Sequence, residues 1–405
     1  MADYQVTIDA ADLPNLFRGD DGVKMLMEKV LNQILQAQAA EQLQAAPYER
    51  TDDRQGYRNG TRSRKLTTRV GTLTLRIPQL REGQLSTELF ARYQRREQAL
   101  VLALMEMVVN GVSTRKISAI TEELCGTAFS KSTVSALCQR LDPVVTAWNT
   151  RPLRDQRYPF LLVDALVLRI REDGQVKSWS ALVATGVNTQ GYREVLGLGL
   201  GDSESDATWT AFFRTLKDRG LQGVDWVISD DPRGLVKAVQ AQFQGATWPR
   251  CPTHPMRNLR DATPKAHRAR LHADVRAIFE APDPSKARTL LQAVVTEWTD
   301  RAPRAVQVLE RAFEAATAIL VLPERYRQRL RTTNSQERLN EEIRRRERVI
   351  RIFPNPASVV RLLGALLLEI HEKWTTGTRY LDMEEYEIWR AERTAAVPGK
   401  VVTLG

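Results

Sequence analysis

The chain has 405 residues, 42% of them hydrophobic, and a formal net charge of +10. That length leaves room for roughly two to four domains with ordinary cores, and the basic balance fits a polyanionic partner. Cys125, Cys138 and Cys251 make no disulfide framework, no apolar run approaches the roughly 20 residues of a spanning helix, and the first residues lack the pattern of a signal peptide. The expectation is a cytoplasmic protein in a reducing compartment, with no membrane partner.

Val23, Met27, Val30, Leu31 and Ile34 fall at helical spacing and predict one amphipathic helix over 21–46, packed or dimerising. Residues 54–81 are dense in cations, among them Arg58, Arg62, Arg64, Lys65 and Arg69. Alternation around Gly71 predicts a short hairpin over Thr67–Ile77. The segment reads either as a solvated loop or as an extended arm on DNA. Residues 97–142 read as helical. An apolar helix, Leu100–Val109, precedes a helix bearing Arg115 and Lys116. A Gly-containing turn then leads to a helix capped by Ser130, with Lys131 and Ser132 at its start. This is the form of a helix-turn-helix with its recognition helix second, and a structural helical hairpin is the competing reading.

After a proline-interrupted connection the pattern changes to strands, over Phe160–Ile170, Val176–Val187 and Tyr192–Leu200. A helix over Asp206–Arg219, a strand at Val224–Ser229, a helix over Leu235–Phe243 and a further strand at Thr247–Cys251 complete the order βββαβαβ. That order describes an RNase H-like layout, whose first and fourth strands lie side by side and would bring Asp164 next to Asp230. From Pro255 to about Tyr326 the pattern is helical, an insertion. A basic helix over 335–352 and an apolar core helix over Ala357–Trp374 follow, and the last ~15 residues read as loose.

The fold class expected is therefore α+β and multidomain. An RNase H-like βββαβαβ catalytic core is interrupted by an all-helical insertion and preceded by helical and helix-turn-helix DNA-binding regions. The expected divisions are a helical, dimerising region at 1–50, a basic arm with a hairpin at 51–95 and the helix-turn-helix at 96–150. The core follows at 151–254 and 329–376, with the insertion at 255–328 and a C-terminal tail at 377–405.

Three acids carry the candidate chemistry. Asp164 lies inside the run Phe160-Leu-Leu-Val-Asp-Ala-Leu-Val-Leu, Asp230 ends the run Val224-Asp-Trp-Val-Ile-Ser-Asp, and Glu337 opens an arginine-rich helix. A carboxylate in a core strand costs several kcal/mol unless neutralised. Two carboxylate-held Mg²⁺ ions are one such partner, and they serve in-line attack on a phosphodiester. Each acid has a plainer reading. Asp164 could pair with a buried arginine, Asp230 could open a turn with Asp231 as its rival, and Glu337 could complete a capping box, with Glu341 and Glu342 as rivals. Between Arg325 and Arg351 stand ten arginines, Arg338, Arg344, Arg345 and Arg346 among them, against four glutamates. The arginine preference fits phosphate contacts. Cys251-Pro-Thr-His254 is half a zinc site, and His267 and His272 are spaced five apart, off ligand spacing. Zinc is not expected, and Trp248, Cys251 and His254 read as a structural turn.

At these residues the sequence resembles the Mutator-type transposases of bacterial insertion sequences. The likeness rests on Arg58-Asn-Gly, Val70-Gly-Thr-Leu-Thr-Leu-Arg-Ile-Pro, Gly111-Val-Ser-Thr-Arg-Lys, Val163-Asp164-Ala, Ser229-Asp230, Trp248-x-Arg-Cys251-x-x-His254 and Thr333-Asn-x-x-Glu337-Arg-x-Asn340. It departs at Pro249, Thr253 and Pro255, where the family usually has Gln, Val and Phe. The resemblance implies a DDE transposase whose triad is Asp164, Asp230 and Glu337, holding two Mg²⁺ (or Mn²⁺) ions. It also implies a homodimer that binds double-stranded terminal inverted repeats and target DNA near the bacterial nucleoid. The route implied is copy-out, paste-in through a circular intermediate. A catalytically inactive DNA-binding regulator and a nuclease without strand transfer are the alternatives.

Overall fold

The computed structural model describes residue 7 and residues 20–83, 85–87, 89, 97–125, 127–229, 233–249, 253–330 and 334–395. The side chains of 20–21, 124–125, 233, 253–254, 334–337 and 394–395 lie outside that description. Contacts divide the chain into two units, Met1–Arg140 and Leu141–Gly405.

In the first unit the apolar stripe of helix α1 (Asp20–Leu43) covers a hairpin of β1 (Arg58–Thr68) and β2 (Gly71–Leu80). Leu35 meets Leu66, Leu73 and Leu75, so only one face of the hairpin is buried. Asn32 Oδ1 accepts the Arg76 amide at 2.7 Å, and the Glu28 carboxylate accepts that of Thr74. One helix thus packs the hairpin's face and occupies the open edge of β2, which would otherwise offer free donors. The hairpin is longer than Thr67–Ile77, with pairing from Arg58 opposite Leu80 to Thr68 opposite Gly71. Its outer half, Arg58-Asn-Gly-Thr-Arg-Ser-Arg, carries no apolar alternation and is held by backbone pairing, which explains why periodicity did not reveal it. Gly71 closes the turn at φ +112°, a conformation that favours glycine. Helices α2 (Gln98–Val109), α3 (Thr114–Cys125) and α4 (Lys131–Cys138) follow. Ser130 caps α4 by accepting the Thr133 amide at 3.1 Å.

The second unit begins with α5 (Asp142–Asn149) and is built on a four-stranded sheet. Strands β3 (Phe160–Glu172), β4 (Gln175–Val187) and β5 (Arg193–Gly201) run antiparallel in turn, and β6 (Trp226–Ile228) lies parallel to β3. The spatial order is β5-β4-β3-β6. Alternate residues of β3 enter different cores. Leu161 and Val163 pack with α6 (Asp206–Asp218) and α7 (Arg233–Gln242). Phe160 and Leu162 pack with a helical layer of α8 (Thr253–Ala262), α9 (Arg268–Phe279), α10 (Pro284–Trp298), α11 (Pro303–Thr317) and α12 (Glu324–Leu330). Burial on both faces is why this end of β3 reads as an unbroken apolar run.

Two elements differ from expectation. The strand expected at Thr247–Cys251 is reduced to a bridge. Thr247 accepts the Val227 amide at 3.0 Å and donates to Asp225 at 2.8 Å, while Arg250 and Cys251 lie outside the described residues. Pro255 stands in the first turn of α8, where a missing N–H costs no helical bond. The chain after 377, expected as a tail, contains α15 (Glu384–Ala395). Tyr386 of α15 is fully buried against Phe160 and bonds Asp225 at 3.0 Å, and Arg390 pairs with the same carboxylate at 3.0 Å. Two aromatic anchors, Tyr386 and Trp389, in a charged segment were too sparse to declare a helical face. Helices α13 (Asn334–Ile350) and α14 (Pro356–Thr375) precede it. No helix among the described residues is long and apolar enough to cross a membrane.

Candidate active site

Asp164 is a half-buried residue midway along β3, opposite Val183 of β4. Beyond it the strand keeps one face buried and turns the other outward, so Asp164 stands where the enclosed half of the sheet opens. Its Oδ1 accepts the Ala165 amide at 2.7 Å, and its Oδ2 accepts the side-chain amide of Asn340 on α13. Asn340 Oδ1 is buried with no hydrogen-bond partner among the described residues. A buried acceptor left unpaired costs about 1–3 kcal/mol.

Further contacts fasten α13 and its continuation along β3. Arg344 donates to the Val167 carbonyl at 3.2 Å and to Glu347 at 2.7 Å. Past the helix, Phe353 donates to Arg169 at 2.9 Å and accepts from Arg171 at 2.8 Å. A segment more than 170 positions later in the chain is thereby pinned to the strand that carries Asp164. Glu337 stands one turn before Asn340 in α13, and residues three apart share a helix face. Its side chain lies outside the described residues.

The second acid is approached from the neighbouring strand. Phe160 pairs with Trp226, Leu161 with Val227 and Leu162 with Ile228, a constant offset of 66 positions. Asp164 and Asp230 differ by the same offset in sequence. Asp230 and its rival Asp231 lie outside the described residues. The last described residue before them, Ser229, is fully buried and accepts the Trp248 indole N–H at 2.8 Å. Trp248 thus anchors the end of β6, whereas Cys251 and the His254 side chain lie outside the described residues.

Comparison with known proteins fits this arrangement into a lineage. A family model described as "Transposase, Mutator family" matches residues 2–377. The chain belongs to this family. It is 42% identical over 369 residues to the transposase for insertion sequence element IS256 in transposon Tn4001 of Staphylococcus aureus, covering 90% of this chain and 94% of that one. It is 43% identical over 379 residues to the transposase for ISRM5 of Rhizobium meliloti, covering 94% and 95%. To the transposase for IS1081 of Mycobacterium tuberculosis it is 40% identical over 383 residues, covering 94% and 91%.

The cations expected to touch DNA in this transposase-family chain fall into three environments. Arg62 and Lys65 on β1, Arg115 and Lys116 on α3, and Lys131 and Ser132 on α4 are exposed. Arg58, Arg64 and Arg69 are more engaged. Arg58 is half-buried and donates to Gln36 at 2.7 Å, Arg64 is half-buried, and Arg69 pairs with Glu97 at 3.3 Å. On α13, Arg338 is exposed, Arg344 turns toward β3, and Arg345 pairs with Glu342 at 3.4 Å. Arg346 corrects the expectation. It is 3% exposed and its guanidinium holds Glu342, so it works inside the protein and not on its surface. Burial would raise the Glu342 carboxyl, but Arg346 and Arg345 together hold it below the usual range. Glu342 is therefore a clamp for Arg346.

Asn340 is the residue that single-site reasoning missed. It appeared in the Thr333-Asn-x-x-Glu337-Arg-x-Asn340 motif, and its i, i+3 spacing from Glu337 was the available signal.

Proposed function

We propose that the chain is a DDE transposase that binds the terminal inverted repeats of an insertion sequence and cuts and joins DNA strands. The observation that carries this reading is the convergence on Asp164. A parallel strand in a 66-position register leads toward Asp230, and helix α13 is bonded to Asp164 three residues after Glu337. The strand order β5-β4-β3-β6, flanked by helices on both faces, supports an RNase H-like core interrupted by a helical insertion. Helices α3 and α4, with Lys131 and Ser132 exposed at the start of a capped helix, support a helix-turn-helix reader of the element ends. A homodimer and a copy-out, paste-in route through a circular intermediate complete the proposal.

The donor set suits two Mg²⁺ or Mn²⁺ ions. Carboxylate and amide oxygens are hard ligands, and Asn340 Oδ1, which has no partner among the described residues, lies beside Asp164. Asp164, Asp230 and Glu337 would hold the ions. When bound, they activate the attacking hydroxyl and offset charge at the phosphate. Asn340 donates to Asp164 Oδ2 and so leaves that carboxylate's orientation little freedom. The Val167 carbonyl and Glu347 hold Arg344 two turns along the same helix from Glu337, where it would steady a flanking phosphate.

The test uses the full chain with a labelled duplex carrying the element end and Mg²⁺. Nicked and joined products are expected from the natural sequence, and neither from Asp164→Asn or Glu337→Gln. Both variants should retain end binding, and exposed Glu341→Gln should stay active. Cleavage without joining would leave a nuclease. Binding without cleavage by the unaltered chain would leave a regulator.

A further inference from the structure

Helix α13 presents a second face. Asn340 reaches Asp164, whereas Arg338 and Glu342, each two residues away and so on the far side of the helix, line a separate cavity of about 830 Å³. The cavity lies between the start of β5, helices α12 and α13, the end of α14 and the loop after it. Its wall includes Arg193, Arg329, Arg338 and Lys373, with Trp374 and Tyr380 between them. Among the described residues none of these cations is in an ion pair. The acid in the wall, Glu342, is already engaged by Arg345 and Arg346. The lining is therefore strongly and uncompensatedly positive.

Arg193 is the organised part of this wall. Its guanidinium carbon lies 4.1 Å from the Trp374 ring centre and 4.3 Å from that of Tyr380, and Arg329 stands 5.3 Å over the same tyrosine. Tyr380 is itself fixed, donating its hydroxyl to the Arg329 carbonyl at 2.9 Å and its amide to Gly191 at 2.8 Å. A guanidinium with its faces on aromatic rings keeps its N–H edge for an in-plane partner, which suits a phosphate oxygen. Burial, and then Arg329 and Arg338 nearby, lower the Arg193 pKa, so an anion in the cavity would relieve real repulsion.

A duplex is too wide for a cavity of this size, since its major groove alone is about 12 Å across. A single strand, with phosphates for the arginines and bases for the rings, fits the wall's chemistry. We propose that this cavity binds an unpaired stretch of DNA flanking the phosphodiester held at Asp164. The proposal rests on the transposase reading for the identity of the strand, but not on cleavage. An α-helix is about 10–12 Å thick with its side chains, so a strand crossing α13 would reach the cavity within a few nucleotides.

The test measures binding by the full chain, without divalent metal, of two end duplexes: one fully paired, one with a short unpaired flap beside the cleavage position. Flap DNA should bind at least tenfold tighter. Arg338→Gln, an exposed change that should not disturb folding, and Arg193→Lys, which keeps the charge but loses the planar fork, should each remove most of that preference. Arg193→Lys should leave the paired duplex bound as before, and any loss of paired binding in Arg338→Gln should be smaller than its loss of flap binding. Photocrosslinking from a halogenated base in the flap should label Trp374 or Tyr380. Equal weakening on both DNAs would reduce the wall to a general electrostatic surface and overturn the proposal, as would unchanged flap preference or crosslinks elsewhere. Flap preference that persists in Asp164→Asn protein separates this pocket from the proposed catalysis, because it can hold even if the assigned triad is wrong.

Discussion

The two sheets of this protein treat their charged residues in opposite ways. The β1–β2 hairpin buries one face against α1 and leaves the other to water; Lys65 stands on the open face, and Arg62, opposite Ile77 on the covered one, is exposed all the same. The four-stranded sheet is covered on both faces over the half that leads to Asp164, and from Asp164 onward charges on β3 and on the helix α13 beside it are held by named partners. Asn340 fixes Asp164, the Val167 carbonyl and Glu347 fix Arg344, and Glu342 fixes Arg346. Charge on an open face acts through Coulomb attraction, which is long-ranged, tolerant of position and screened by salt. Charge held by hydrogen bonds in a covered site acts through placement, so losing one partner should matter more than losing one charge.

The sharpest break of that contrast is at Asn340. Asn340→Ala removes no charge, yet it takes the amide donor from Asp164 Oδ2, and cleavage should fall about 10–100-fold with end binding retained. Asn340→Asp should be worse, because it sets a second carboxylate against the first. The discriminating readout is the Mg²⁺ concentration for half-maximal cleavage, which should rise in Asn340→Ala. Unaltered rate and metal dependence would make Asn340 a packing residue. A second break probes rigidity in the same unit. A Cβ added at Gly364 on α14 would stand 2.2 Å from Val145 Cγ1 of α5. Gly364→Ala should destabilise by about 1–3 kcal/mol through overpacking, more than the roughly 1 kcal/mol that a helix gains from alanine. Val145→Ala added to it should restore much of the loss in denaturant titrations.

Much of this arrangement was legible in the residues, and the parts that were not share a physical cause. The strand character of Phe160–Ile170 and the core role of α14 announced themselves because burial imposes an apolar pattern. The outer half of the hairpin and helix α15 did not, since backbone pairing holds one and two aromatic anchors hold the other. The acids could be singled out one at a time, but their plainer readings could be weighed only against the partners each one meets in the folded chain. Glu342 was found paired with a buried Arg346, and Asn340 gained its place when it was found on Asp164. The Asn340–Asp164 pairing spans 176 positions and has no local signature, whereas Glu342 and Arg346 are an i, i+4 pair whose burial is what spacing could not reveal. For Arg346 the arginine-rich run pointed the wrong way, because a helix with one buried arginine reads like one with all of them exposed.

On the open hairpin, replacing single charges should have smaller and additive effects. Arg62→Ala with Lys65→Ala should weaken DNA binding at low salt and flatten the slope of log K against log salt by about 2, if each cation neutralises one phosphate. The loss should be the same on end DNA and on random duplex. A loss confined to end DNA would give these residues a positional role and erase the difference between the two sheets. An unchanged slope would leave the hairpin's charges simply solvated.

The smallest effect tests a titratable group in the covered unit. His371 of α14 lies beside Trp148, with ring centres 6.2 Å apart, and its Nδ1 is buried without a partner among the described residues. Burial, and then the nearby Arg151 charge, hold its pKa down to about 4 from 6.5. Between those values the unfolded chain binds a proton that the folded chain refuses, so stability must rise with pH across the window. The contribution is present above pH 6.5 and is lost as the pH falls toward 4. His371 is partly open to solvent, which tempers the size of the effect, and carboxylates add their own acid sensitivity. The informative quantity is therefore a difference. His371→Phe, which keeps a ring against Trp148 and cannot titrate, should lose less melting temperature than the natural chain over that window. Parallel melting curves would mean that the imidazole takes up its proton without leaving its place. A histidine in the covered unit would then behave like a cation on the open hairpin.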